Sequence, residues 1–174
     1  MTDDAETTLR PLVNLEEAER TAYPLAPTDG CTQFGARISP LGPRLGAQKL
    51  GAMLILVEPG KRAFPYHNHQ GNEEMFVILA GTGEITIGGA SHAIREGDVI
   101  STPAGGPETA HQIVNTGSEM LRYLAISTTE GPDIVEYPKS GERAKLEYKR
   151  GRPFMTELLE AIGQVDGRLD GGGH

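Results

Sequence analysis

Short apolar segments, separated by glycine, proline and aspartate, dominate the chain between residues 33 and 128. They include "QKLGAMLILVE", "EMFVILA", "EITI", "SHAI", "DVIST", "HQIVN" and "MLRYLAIST". Many short strands with closely spaced turn residues are typical of an all-β barrel or sandwich. Gly88 and Gly89 separate "EITI" from "SHAI", and this pair predicts a tight hairpin. The pattern therefore predicts an all-β domain.

The segment from residue 74 to 80 lacks the polar positions of a half-exposed strand. Both of its faces are therefore predicted to be covered. Alternation places Glu74, Phe76 and Ile78 together on the inward face. The outward face carries the apolar residues Met75, Val77 and Leu79. An N-terminal strand, a C-terminal segment or a second subunit must cover this outward row, and we expect a homodimer.

The regions that flank the strands are polar and interrupted by proline and glycine. In "VNLEEAER", Asn14 is positioned to cap a short helix. The stretch "GPDIVEYPKSGERAKLEYKRGRP" has no regular period and predicts an extended tail, whereas "PFMTELLEAIGQ" predicts a short amphipathic helix behind Pro153. The chain is thus divided into an N-terminal extension (1–30), a β-barrel domain (31–130) and a C-terminal tail with a short helix (131–174).

Length and charge exclude several classes of protein. A chain of 174 residues is typical of one domain with appendages. The net charge of -8 argues against binding to nucleic acid or to an anionic membrane. No apolar run reaches the roughly 20 residues of a membrane span, and the acidic N-terminus does not resemble a signal peptide. With Cys31 as the single cysteine, neither a disulfide framework nor a thiolate zinc site is expected, and a cytoplasmic location is predicted.

A cluster of histidines and glutamates carries the candidate chemistry. On a strand, residues i and i+2 share a face, so His67 and His69 project side by side. Glu73 or Glu74 follows a short turn and can supply a third ligand to a metal, and His111 is a candidate for the fourth. A histidine-rich set without sulfur suits Fe(II), Mn(II), Ni(II), Cu(II) or Zn(II).

These residues resemble the two motifs of the cupin family. The first motif, with glycine, His-x-His, glutamate and glycine, is matched by Gly60, His67, His69, Glu74 and Gly81. The second motif is matched by Gly97, Pro103, Gly105, His111 and Asn115. Two loop-like stretches depart from the family spacing, one before His67 and one, "GPETA", before His111.

The resemblance implies the cupin fold, a double-stranded β-helix or jelly-roll barrel. It also implies that a divalent metal ion is held by His67, His69, Glu74 and His111. The six-residue step to Gly81 favours Glu74 over Glu73, which is expected to be solvated. Enzymes of the oxygenase, isomerase and decarboxylase types are the implied activities, and the alternative is a non-catalytic module that binds or senses a small molecule.

Alternation from the ligands predicts the surroundings of the metal. The residues expected to line an apolar pocket are Phe76, Ile78, Ile113, Met53 and Ile55. Phe64 and Tyr66 are predicted to face away from the metal, and His92 is predicted to be exposed. Glu108, at the expected pocket mouth, is the one candidate for proton transfer. Such a pocket favours a small, partly apolar substrate over a sugar nucleotide.

Overall fold

A computed structural model describes residues 11–25 and 32–147 of the chain. The strands are β1 (Tyr23–Leu25), β2 (Ala36–Pro40), β3 (Leu50–Val57), β4 (Asn68–His69), β5 (Glu74–Ala80), β6 (Thr82–Ile87), β7 (Ala90–Arg95), β8 (Val99–Thr102), β9 (His111–Val114), β10 (Leu121–Thr128), β11 (Asp133–Tyr137) and β12 (Glu142–Leu146). The helices are α1 (Leu15–Arg20), α2 (Gly42–Leu45) and a 3-10 turn at Pro107–Thr109. In the described part of the chain, neither α-helix has the length and hydropathy to cross a membrane.

The strands form one six-stranded sheet and two three-stranded sheets. The larger sheet has the order β1-β2-β3-β10-β5-β8, and the smaller ones have the orders β12-β11-β4 and β7-β6-β9. His67 and His111 exchange two backbone hydrogen bonds, of 2.8 and 3.1 Å, which connect the two smaller sheets. Two six-stranded layers therefore enclose one apolar core, and the predicted all-β jelly-roll fold is confirmed.

Local sequence signals position several elements as predicted. Gly88 and Gly89 adopt φ values of 55° and 86° between β6 and β7, a conformation that a two-residue hairpin requires and glycine provides without strain. Asn14 caps α1, because its side-chain oxygen accepts a hydrogen bond of 2.8 Å from the backbone N–H of Glu16. The hairpin and the short helix are thus confirmed.

The two faces of β5 follow the predicted alternation. Phe76 and Ile78 point into the core, whereas Met75 is 44% exposed on the other face. Leu79, on the outward face, packs against a second cluster built on Ala18 of α1 and Leu54 of β3. Part of the outward row is therefore covered by an N-terminal helix, and the homodimer remains a prediction.

Part of the stretch expected to be an extended tail on the barrel or on a partner subunit forms regular strands on the barrel. This segment forms the hairpin β11–β12, and β11 pairs with β4 so that Val135 lies opposite His69. Proline and glycine interrupt the stretch and obscure the strand period, and its Asp133 and Glu136 are buried and bonded to other side chains. The predicted helix behind Pro153 lies outside the described residues, and the division into three segments stays a prediction.

The apolar cluster around Ala18 and Leu54 is expected to stabilise the outer face of the large sheet. Leu54 is fully buried beneath α1, so Leu54→Ala should lower the free energy of unfolding by about 2–5 kcal/mol. Leu50, on the same strand but 54% exposed, provides the matched control, and Leu50→Ala should change it by less than about 1 kcal/mol. Urea denaturation followed by circular dichroism measures both. Equal losses in the two variants would contradict the packing described here.

Candidate metal centre

The backbone pair between His67, directly before β4, and His111, the first residue of β9, brings two histidines together. Residues directly opposite each other in an antiparallel pair project to the same face of the sheet. The rings of His67 and His111 accordingly lie 4.7 Å apart between centroids. His69 follows two residues after His67, and its ring lies 5.1 Å from that of His67. Three imidazoles thus share one inward face of the barrel.

Glu74, the first residue of β5, approaches these imidazoles from the opposite layer. Its Oε2 atom lies 2.8 Å from Nε2 of His111, 3.5 Å from Nε2 of His69 and 3.8 Å from Nε2 of His67. The ligand atoms of His67, Glu74 and His111 all lie within 4.8 Å of one another. A metal that bonds nitrogen and oxygen at about 2.0–2.2 Å brings its ligand atoms to about 3 Å separation. The cluster is close to that spacing.

The outer nitrogen of each imidazole faces a hydrogen-bond acceptor. His67 Nδ1 lies 2.7 Å from the carbonyl oxygen of Pro65, and His111 Nδ1 lies 3.2 Å from that of Thr109. His69 Nδ1 lies 2.7 Å from Oδ2 of Asp133. In a neutral imidazole these acceptors favour the tautomer with the proton on Nδ1 and a lone pair on Nε2, and at His111 the Glu74 carboxylate, 2.8 Å from Nε2, competes for the proton.

The inward nitrogens face the Glu74 carboxylate, and His111 Nε2 lies at hydrogen-bond distance, 2.8 Å, from its Oε2 atom. A nitrogen lone pair and a carboxylate oxygen repel each other unless a proton or a metal ion lies between them, and one divalent metal ion can serve all three imidazoles at once. The donor set therefore fits a divalent metal, on the chemistry of its own residues. The structure brings together all four predicted ligands. His67, Glu74 and His111 form the closest group, and His69 Nε2 lies 3.5 Å from Oε2 of Glu74.

Electrostatics maintain two of these groups in the forms that bind metal. Burial, followed by the neighbouring His111 and His69, lowers the pKa of His67 to about 3, so its imidazole is neutral. Burial acts to raise the pKa of the Glu74 carboxyl, but the charge of His69 and the hydrogen bond with His111 outweigh it. The net pKa lies below the usual range, and Glu74 is a carboxylate. A neutral imidazole and an ionised carboxylate are the forms that coordinate metals.

Asp133 is a residue of the site that the sequence did not reveal. It lies on β11, is fully buried and accepts hydrogen bonds of 2.7 Å from His69 Nδ1 and 2.8 Å from the backbone N–H of Gly71. Burial opposes its ionisation, but the hydrogen bond from His69 holds the pKa of Asp133 below its usual range. The alternation in "DIVEY" was the available signal for this strand. Asp133 therefore fixes the ring of a predicted ligand from outside the motifs.

An apolar cavity of about 40 Å³ lies beside the cluster. Its wall is formed by Met53, Phe64, Pro65, His67, His69, Glu74, Phe76, His111, Gln112, Ile113, Tyr123, Ala125 and Tyr137. Of the residues predicted to line it, Met53, Phe76 and Ile113 do so. Ile55 and Ile78 belong instead to the sealed core, because they lie farther along their strands, away from the ligand end.

The structure also locates Phe64, Glu108, Glu73 and His92, for which the sequence made predictions. Phe64 lines it rather than facing away, because residues 63–66 are irregular and do not follow strand alternation. Glu108 does not lie on the cavity wall: it is exposed, and its Oε1 accepts a 2.9 Å hydrogen bond from the N–H of Gly106 in its own loop. The proton-transfer role suggested for it therefore has no support. Glu73 and His92 are exposed as predicted.

Comparison with known proteins identifies the family to which this barrel and cluster belong. The profile of the cupin domain matches residues 53–127, which include all four predicted ligands. The matched residues, 53–127, form a cupin domain. It spans about half the length of the curated relatives it matches, 57% and 47% for two of them.

Three relatives illustrate the range of proteins that this cupin resembles. It is 38% identical over 60 residues to an oxalate-binding protein of Thermotoga maritima, a match that covers 34% of this chain and 47% of the relative. A putative sugar phosphate isomerase of Acidithiobacillus ferrooxidans has a structure with a TM-score of 0.69 and 29% identity, over 78% of this chain and 85% of that one. The structure of a predicted oxalate decarboxylase of Thermotoga maritima has a TM-score of 0.57 and 25% sequence identity. That match covers 68% of this chain and 99% of the other.

The contact between Asp133 and His69 predicts an effect on metal affinity. Asp133→Asn replaces one of the two acceptor oxygens with an amide nitrogen, so either His69 or Gly71 loses its partner. Loss of such an orienting carboxylate should weaken metal binding about 10- to 100-fold. Titration of the metal-free cupin with Co(II), followed by absorbance, measures the affinity.

Glu136→Gln is the matched control for this experiment. Glu136 is also a buried carboxylate of β11, but it contacts Asn68 and Arg143 and no histidine. Metal affinity in this variant should stay within about threefold of the original. A similar loss in both variants would mean that the hairpin acts through stability alone.

Proposed function

We propose that this cupin holds one divalent metal ion through His67, His69, Glu74 and His111 and binds a small molecule at that metal. The observation that carries the proposal is the orientation of the three imidazoles, whose Nδ1 atoms face acceptors while their Nε2 atoms surround a buried carboxylate oxygen. No cysteine lies on the cavity wall, and this donor set is compatible with Fe, Mn, Ni, Cu or Zn.

The residues of the chain have separate roles in this proposal. The carbonyls of Pro65 and Thr109 and the carboxylate of Asp133 orient the imidazoles before any ligand arrives. Apolar side chains, such as Phe76 and Ile113, limit access of water and lower the local dielectric. A bound divalent metal supplies Lewis acidity, which polarises a coordinated oxygen. The protein therefore provides an oriented and largely dry site for one small ligand.

Cavity size favours a small carboxylate as the ligand. A cavity of about 40 Å³ compares with the roughly 10–15 Å³ that a single water occupies on this measure, which leaves room for about three water-sized groups. No lysine or arginine lies on the described wall, so a bound anion would be neutralised by the metal. A sugar phosphate is larger than oxalate, and both carry about two negative charges at neutral pH, so size alone separates them here. Support therefore lies with a ligand of the size of oxalate, which the Thermotoga maritima relative is named for binding.

The first candidate activity is metal-dependent catalysis of the decarboxylase, oxygenase or isomerase type on such a molecule. A second candidate, a non-catalytic binding or sensor cupin, is favoured by a different observation. Apart from the four predicted ligands, the described cavity wall carries no carboxylate, histidine or lysine that could exchange protons near neutral pH. The two candidates differ in whether the bound ligand is turned over.

Metal content provides the test of the proposed centre. The purified cupin, reconstituted with each of the five divalent metals in turn, should retain about one equivalent of at least one of them after gel filtration, as measured by elemental analysis. His67→Ala should lose more than about nine-tenths of that content, since one of four ligands is absent. His92→Ala, which removes an exposed histidine, should retain it. Absence of metal from the original protein after all five reconstitutions would refute the proposal.

Turnover distinguishes the enzyme from the binding module. Incubation of the metal-loaded cupin with ¹³C-labelled oxalate, followed by NMR, should show formate and carbon dioxide if the site acts as a decarboxylase. Retention of unchanged oxalate with a measurable dissociation constant would support the binding module instead. His67→Ala, lacking the metal, controls for contaminating activity. Failure of the metal-loaded protein to bind oxalate would exclude this ligand for both candidates.

A further inference from the structure

Three polar side chains line the cavity in addition to the predicted ligands. They are Gln112, Tyr123 and Tyr137. Gln112 is engaged with the protein, since its amide nitrogen donates to the carbonyl of Phe64 at 3.0 Å and its amide oxygen accepts from Arg62 at 3.3 Å. The two phenols are therefore the groups of the wall that can be directed at a ligand.

Tyr123 lies on β10, within the same layer as Glu74, and is only 2% exposed. Its ring packs edge-on against Phe76 at 6.0 Å, and Phe76 in turn lies 5.5 Å from the ring of the predicted ligand His111. Close packing between these rings restricts the phenol to one position. The phenol is thus a fixed part of the wall, next to the residues proposed to hold the metal.

The hydroxyl of Tyr123 makes no hydrogen bond within residues 11–25 and 32–147. Tyr123 is one of the residues that line the cavity. A buried hydroxyl without a partner is unfavourable, and buried tyrosines normally find an acceptor. An acceptor brought by a ligand would satisfy this group.

The two phenols lie in different electrostatic environments. Burial and then the Glu74 carboxylate raise the pKa of Tyr123, so its hydroxyl remains protonated beside the proposed metal ligands. Burial and then Glu142, at the far end of the β11–β12 hairpin, raise the pKa of Tyr137 to about 12. Both phenols lie near predicted ligands, since the Tyr137 ring centroid is 6.3 Å from that of His67, and Tyr123 is the one whose ring is held edge-on by Phe76 in the layer of Glu74.

We propose that the Tyr123 hydroxyl donates a hydrogen bond to an oxygen of the small ligand bound at the metal, and so selects ligands that carry an oxygen acceptor beside the coordinated atom. This inference rests on the proposed function and adds the residue that recognises the ligand. Carboxylates satisfy it, because one oxygen can bind the metal while another accepts from Tyr123. Flat nitrogen ligands of similar size do not offer that oxygen.

The test compares two probes in the metal-loaded cupin and in Tyr123→Phe. Isothermal titration calorimetry gives the affinity for oxalate, which carries oxygen acceptors, and for imidazole, which binds metals through nitrogen. In Tyr123→Phe, oxalate should bind about tenfold more weakly or worse, because a hydrogen bond to a charged acceptor is lost. Imidazole affinity and metal content should each stay within about twofold.

Tyr66→Phe is the matched control, since it removes the same atom from a tyrosine next to His67 that is not on the cavity wall and packs under Lys139. It should leave both affinities unchanged. Equal oxalate affinity in Tyr123→Phe and in the original protein would overturn the inference while leaving the metal centre intact. Equal loss of oxalate and imidazole affinity would also overturn it, since it would indicate a structural role. Failure of the original protein to retain metal would instead refute the proposed function.

Discussion

Two backbone hydrogen bonds between His67 and His111 are the constraint on which both the fold and the site depend. They connect the two small sheets into the second layer of the barrel, and they also set two imidazoles side by side on its inner face. The barrel therefore cannot close in this register without assembling half of the candidate metal centre. His69 and Glu74 complete the centre from the same strand and from the opposite layer.

Three hydrogen-bond acceptors behind the imidazoles orient the rings toward the centre of the site. Pro65, Thr109 and Asp133 each face the outer nitrogen of one imidazole, and this favours the neutral tautomer whose inner nitrogen carries the lone pair. Two of these acceptors are backbone carbonyls within two residues of the histidine they orient. Local chain geometry thus orients two rings, whereas the third depends on a side chain from a distant strand. This difference is why Asp133, rather than a loop residue, is the informative position for mutation.

The sequence predicted the parts of the site that depend on short-range periodicity. Spacing of two between His67 and His69 sufficed to place them on one face, and strand alternation from Glu74 correctly directed Phe76 inward. Phe64 was misplaced because the chain before β4 is irregular, and alternation has no meaning there. Asp133 was missed for a different reason. A buried carboxylate looks like a surface residue until its partner is known, and that partner, His69, lies 64 residues away in the chain.

The position of Asp133 on β11 has a consequence for how reactivity can differ among cupins. The strand β4 is only two residues long, and both residues pair with β11 of the neighbouring hairpin. That hairpin contributes no predicted ligand. Substitutions in that hairpin can change the basicity and tilt of His69 while the four-residue ligand signature stays intact. Two proteins that share the signature need not share a redox potential or a preferred metal. Divergence of function in this fold can therefore proceed through residues that the family motifs do not include.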